Sequence, residues 1–216
     1  MWKGWLLSFI FLFVLVLSGC AVEGQNGEAE QDRIGIVTTI FPLADILEEL
    51  GGEKVDVYYL LPSGSSPHTY EPTMEQARLV DEARLFVYIG AGLDNWGARL
   101  AESGGSDLIV LNLSTHIDLI DTESCSHSGE ENAHHHNDNQ HDHGSVDPHF
   151  WLDPVLVSEI ITPILSSELI KLAPSEESYF SGRLKEYQNE LMNLHHEIGE
   201  SAASFSHNRF ISLHSA

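Results

Sequence analysis

Positive charge is scarce in this chain of 216 residues: ten Lys and Arg stand against 33 Asp and Glu, a formal charge of −23. Such a balance argues against nucleic acid or an anionic membrane surface as a partner, because both repel it. It suits solubility, and equally a partner that is itself a cation. Long apolar runs are missing as well. The longest, Trp5 to Leu17, has 13 residues, short of the ~20 that a spanning helix needs. Between Asp121 and Asp147 there is no Lys or Arg and almost no large apolar side chain. That stretch cannot build a core and reads as a mobile, solvated loop. Over the whole chain 42% of the residues are hydrophobic, enough for a packed core in one or two domains.

The N-terminus reads as an export signal. Lys3 supplies the positive region, the apolar run follows, and it ends in Leu17-Ser18-Gly19-Cys20. This ending resembles the lipobox of bacterial-type lipoproteins, in which the Cys is lipidated and becomes the first mature residue. Residues 1–19 are then the signal peptide and residues 20–33, rich in Gly, Glu and Gln, a flexible tether. With Cys20 acylated, Cys125 has no disulfide partner. It reads as a bystander thiol or a spare metal ligand.

From Ile34 onward the pattern alternates. Strands are expected at Ile34–Val37, Val55–Leu61, Leu85–Ile89 and Leu108–Leu113. Helical spacing separates them at Phe41–Leu50, from a Thr73 cap to Ala83, and at Leu93–Ala101. Thr73 followed by Gln76 has the form of a capping box. Alternating strands and helices imply βαβ units and a parallel sheet, an α/β fold. After the loop, Asp153-Pro154 reads as an N-cap with proline at the first helical position. The helix it opens runs to Leu172 and contains Pro163, which is expected to kink it. Pro174 to Glu200 carries one apolar stripe, Phe180, Leu184, Tyr187, Leu191, Leu194 and Ile198. A helix of that length spans ~37 Å. Phe210–Leu213 reads as a further strand.

Histidine carries the chemistry. His68 closes the turn-rich loop Pro62-Ser63-Gly64-Ser65-Ser66-Pro67 after the second strand. His149 sits in Asp147-Pro148-His149-Phe150-Trp151-Leu152-Asp153-Pro154, where two prolines and two aromatics restrain it. His214 ends the strand at Phe210–Leu213. Loops at the carboxyl ends of parallel strands line the binding crevice of such sheets. Each of the three also has an ordinary reading as a surface or packed loop histidine. Together, three imidazoles from separate loops suit Zn²⁺, which takes N and S ligands tetrahedrally. Mn²⁺ and Mg²⁺ favour sites richer in oxygen. A second group, His127, His134, His135, His136, His141 and His143, lies among seven acids between Asp121 and Asp147 and offers weak, interchangeable metal sites, or a biased linker. His195 and His196, on the long helix, read as a solvated face.

Three runs resemble a known family: Ile36-Val37-Thr38-Thr39-Ile40-Phe41-Pro42-Leu43, Pro67-His68-Thr69-Tyr70-Glu71-Pro72 and Asp147 to Pro154. They are similar to the zinc/manganese substrate-binding lipoproteins of ABC transporters. The similarity extends from about Ile34 to Ala216, interrupted by the His-rich loop. It implies two α/β lobes joined by a long rigid helix, with metal held in the cleft between them. On that resemblance residues 34–172 form the N-terminal metal-binding lobe, 174–200 the linking helix, and 207–216 the first strand of a C-terminal lobe. His68 and His149 match the two ligands of the first lobe, and His214 the first of the second, a position that is His in zinc receptors and Glu in many manganese receptors. Two departures stand out. The late acidic ligand of the second lobe has no counterpart here, so the expectation is a C-terminally truncated chain. Pro67 also stands where some zinc members have Glu.

The expected function is therefore an extracytoplasmic zinc receptor, lipid-anchored to the cell membrane or periplasmic, that delivers Zn²⁺ to an ABC transporter permease and catalyses nothing. Manganese or another divalent metal is the alternative cargo. A periplasmic zinc buffer or an adhesin would need only the His-rich loop. A zinc hydrolase ranks lowest, because catalytic zinc needs an open position and a general base, and the chain has no His-Glu-x-x-His motif.

Overall fold

Each of the four expected strands forms, and they assemble side by side in one parallel sheet. The structure is a computed structural model and describes residues 33–119, 146–207 and 209. β1 (Ile34–Thr38), β2 (Val55–Tyr59), β3 (Leu85–Tyr88) and β4 (Ile109–Asn112) lie in the order β2-β1-β3-β4. The register sets Ile36 beside Val57 and Leu85, and Phe86 beside Val110. The signal peptide, the tether with Cys20, the loop from 121 to 145 with Cys125 and its six histidines, and the strand carrying His214 lie outside the described residues.

A parallel sheet must be covered on both faces, and side chains alternate across it. Ile34, Ile36, Leu85, Val87 and Leu111 point into one hydrophobic cluster. Val37 and Phe86 point into the other. The second face is covered by α2 (Met74–Glu82) through Val80 and by α3 (Asn95–Ala101) through Trp96 and Leu100. The first face is covered by α1 (Phe41–Gly51) through Leu43, Ile46, Leu47 and Leu50. α4 (Thr162–Leu172) and α5 (Glu177–Ala203) pack onto the same cluster through Leu165, Leu169 and Phe180. The result is three layers, helices on sheet on helices.

The expected caps are made. Thr73 Oγ1 accepts the Gln76 N–H at 3.2 Å, and Gln76 Oε1 accepts the Thr73 N–H at 2.9 Å, so both halves of the capping box are present. Asp153 accepts the Val155 and Leu156 N–H groups at 2.8 and 3.4 Å.

Pro163 acts through a widened turn rather than a bare kink. The helix starts as an α-turn at Pro154–Leu156, opens into a π-helical turn at Val157–Ile161, and continues as α4. In π-helical bonding the partner of residue 163 would be the Ser158 carbonyl, and proline has no N–H to give. The orphaned carbonyl accepts the Thr162 hydroxyl at 3.0 Å and the Gln188 side-chain amide at 2.8 Å instead. The break thus becomes a hydrogen bond to α5.

α5 has 27 residues and follows a 3-10 turn at Pro174–Glu176. Its apolar stripe is only half covered. Phe180 and Leu191 are buried, and Leu184 and Tyr187 pack against the cluster. Leu194 and Ile198 are 47% and 51% exposed, because the helix runs on past the core. Arg183 ties it to the end of α1, donating to the Glu49 carbonyl at 2.7 Å and to the Glu49 carboxylate at 3.0 Å.

A candidate metal centre on the strand ends

His68 is carried by the connection from β2 to α2. The chain leaves β2 along β1, with the Leu60 N–H bonded to the Thr38 carbonyl at 3.0 Å and the Leu61 N–H to the Thr39 carbonyl at 2.9 Å. The loop then turns back over α3. The Trp96 indole N–H donates to the Pro67 carbonyl at 2.7 Å, immediately before His68. Tyr70 packs edge-on against the Trp96 ring, centroids 5.1 Å apart, and its hydroxyl donates to Gln76 Oε1 at 2.8 Å. Gln76 in turn donates to the Leu60 carbonyl at 2.7 Å. A loop rich in Pro, Ser and Gly is thereby held on both sides of a half-buried His68.

His149 is held differently, by its own neighbours. One oxygen of Asp147 accepts the His149 backbone N–H at 2.9 Å and lies 2.8 Å from the ring Nδ1. An Asx-type turn of this kind needs only the spacing of two residues. The carboxylate can only accept, so it favours the tautomer with hydrogen on Nδ1. A carboxylate behind an imidazole is the arrangement found at metal-ligating histidines, where it orients the ring and raises its basicity. The Trp151 ring lies 5.2 Å from the imidazole, and the His149 side chain is 14% exposed. Phe150 turns the other way, into the core, and so anchors the turn.

The two loops flank one concavity. Pro67, next to His68, and Trp151, two residues after His149, line the same hollow of about 260 Å³ with Phe41, Tyr59 and Leu93. On its other side His149 borders a larger cavity of about 420 Å³, with Asp118, Leu152, His195 and Ile198 in its wall. His195 therefore shares a cavity with His149 although it is exposed on α5. Among the described residues no three His, Cys, Asp or Glu side chains are gathered as a metal site. The third expected ligand, His214, lies outside them.

Asp94 has no counterpart in the sequence reading. It is fully buried, and accepts the Thr39 hydroxyl at 2.5 Å and the Ile89 and Gly90 N–H groups at 2.9 and 2.8 Å. Burial pushes its carboxyl above the usual carboxylate range, while its hydrogen bonds to Thr39, Ile89, Gly90 and its own backbone pull it back. A carboxyl raised on folding contributes less stability as pH rises through its native value. The part of Asp147 was legible as an Asp two residues before a His; nothing local distinguishes Asp94.

A parallel sheet covered on both faces, with two braced histidine loops at its carboxyl edge, defines an α/β lobe with a candidate site at its strand ends. The chain belongs to the family described as ZnuA, zinc-uptake complex component A, periplasmic, whose family model matches residues 36–216. That family consists of metal-binding receptors of ABC transporters, not of enzymes. The chain is 30% identical over 218 residues to the high-affinity zinc uptake system protein ZnuA of Bacillus subtilis (strain 168), covering all of this chain and 66% of that protein. It is 27% identical over 198 residues to the manganese-binding lipoprotein MntA of Halalkalibacterium halodurans, covering 91% of this chain and 59% of the relative. A crystal structure of ZnuA superimposes with a TM-score of 0.67 at 27% identity, over 81% of this chain and 61% of the other. The chain thus spans about two thirds or less of the length of these relatives.

Proposed function

We infer that this chain is the metal-capturing part of an extracytoplasmic zinc receptor that hands its ion to an ABC transporter permease. The carboxylate-backed imidazole of His149 carries the reading, since Asp147 fixes the ring of a histidine that lines a cavity. His68, His149 and His214 are the proposed ligands. Zinc is favoured over manganese because three imidazoles match its preference for nitrogen. The relatives' names divide between the two metals, so a parallel titration with Mn²⁺ decides the cargo. Comparable affinity for Mn²⁺ would overturn the preference.

The His-rich loop is proposed as a separate, weaker store. Its histidines lie among Asp, Glu, Asn and Ser, a composition with almost no large apolar side chain to offset the entropy of ordering, so each site is expected to be weak. Zinc titration by calorimetry is expected to show one tight class and several weaker equivalents. Deleting residues 126–143 removes the weak class and leaves the tight one. The weak class also disappears below about pH 5.5, since imidazoles in water titrate near ~6.5 and metal must displace their protons. Loss of the tight class on deletion would reverse this hierarchy.

Anchoring is proposed through Cys20, from Leu17-Ser18-Gly19-Cys20 ahead of a polar stretch. Acylation places the mature protein in the membrane fraction. Cys20→Ser releases it or leaves it unprocessed, which fractionation and intact mass report. Unchanged mass and fractionation would exclude lipidation at this residue.

A further inference from the structure

Asp94 stands at the N-cap position of α3 but makes no side-chain cap there. Its carboxylate is directed instead at the carboxyl edge of the sheet. It binds the hydroxyl of Thr39, one residue past β1, and the N–H groups of Ile89 and Gly90, just past β3. The β3 exit needs such a clamp, because Gly90, Ala91 and Gly92 all have positive φ, at 80°, 51° and 83°. Ala91 is costly in that region, where a Cβ crowds the backbone.

Both ends of this clamp lead to the His68 loop. Thr39 gives its carbonyl to the Leu61 N–H, where the loop starts. Two residues after Asp94, the Trp96 indole holds the Pro67 carbonyl beside His68. Gly97 lets α3 lie close enough for this: a Cβ there would stand 2.8 Å from Thr39 Cγ2 and 3.3 Å from Tyr88 Cβ. The corner from Asp94 to Gly97 therefore grips the loop at its start and at its histidine. None of these bonds involves His149, which Asp147 orients separately.

We propose that Asp94 is a positioning residue of the metal centre, fixing the place of His68 through Thr39 and through the seating of Trp96 against Pro67. The proposal rests on the reading of His68 and His149 as zinc ligands. It predicts an asymmetry that general destabilisation does not produce: damage at this corner reaches one histidine and spares the other.

The test uses three variants of the full chain. Asp94→Asn keeps the shape, but its amide NH₂ must face either the Gly90 N–H or the Ile89 N–H and Thr39 hydroxyl together. Thr39→Val exchanges the hydroxyl for a methyl group, and Trp96→Phe removes the indole N–H together with part of a buried ring. Zinc affinity is measured by competition with a chelator, and the ring resonances of His68 and His149 are followed by nitrogen-detected NMR as zinc is added. Each variant is expected to bind zinc roughly 10- to 100-fold more weakly, the scale of outer partners at metal sites. The His68 ring response is diminished and that of His149 retained. If Asp94→Asn does not fold, Thr39→Val and Trp96→Phe decide. Affinity within twofold of the parent in both would overturn the proposal, as would equal loss of response at the two rings. A parent chain in which neither imidazole responds to zinc would overturn the metal reading itself, and this proposal with it.

Discussion

His149→Ala is expected to weaken zinc binding by more than about 100-fold. An outer carboxylate that merely orients a ligand is worth roughly 10- to 100-fold in metal affinity, and here the ligand itself is removed. A hundredfold loss corresponds to about 2.7 kcal/mol. Among the described residues the neighbouring Asp147 and Asp153 are already engaged. Asp147 spends one oxygen on the His149 backbone N–H and on the ring. Asp153 is occupied with its helix, bonded to Val155 and Leu156. Asp147→Asn should then cost less than His149→Ala, because the ring remains but loses its anionic partner. His195→Ala is the informative control. His195 shares the cavity wall with His149, but it is exposed on α5 and its affinity loss is expected to be below twofold. Competition titration against a chelator ranks the three. Equal losses in His149→Ala and His195→Ala would mean that the cavity, rather than the braced histidine, holds the metal.

Phe180→Ala is expected to cost about 3–5 kcal/mol of stability, the range for deleting a buried aromatic ring. Phe180 is fully buried in the cluster shared by the sheet, α1, α4 and α5. Its ring is also edge-on to Tyr179, centroids 5.8 Å apart. Removing it leaves a cavity among Leu, Ile and Val side chains that cannot close without moving α5. Ile198→Ala, on the same stripe but 51% exposed, is expected to change stability by no more than about 0.5 kcal/mol. The Arg183–Glu49 pair does not compensate, since ion pairs this exposed contribute ~0–1 kcal/mol. Urea unfolding of both variants measures the difference, with similar slopes confirming that stability alone has changed. A Phe180→Ala cost no larger than that of Ile198→Ala would show that α5 is not part of the cooperative core.

The order of elements was legible in the sequence because it depends on spacing within a few residues. Alternating apolar positions, Thr73 with Gln76, and Asp153 with Pro154 each act within a turn or a strand, and each formed as read. The sequence reading also held His149 restrained, by its prolines and aromatics; the structure adds the Asp147 carboxylate, only two positions away. What chain spacing could not reveal are the partners brought together by folding. Thr39 and Asp94 are 55 residues apart, Pro67 and Trp96 29, and Ser158 and Gln188 30. The apolar stripe of α5 is continuous in sequence, yet the core ends between Leu191 and Leu194, so half of it is covered and half is not. Residue type and local period determined that this chain makes a parallel α/β sheet with histidines on its loops. Which buried carboxylate braces the strand ends, which ring N–H holds a histidine loop and where a helix leaves the core were decided only by packing, because those contacts join segments that meet nowhere along the chain.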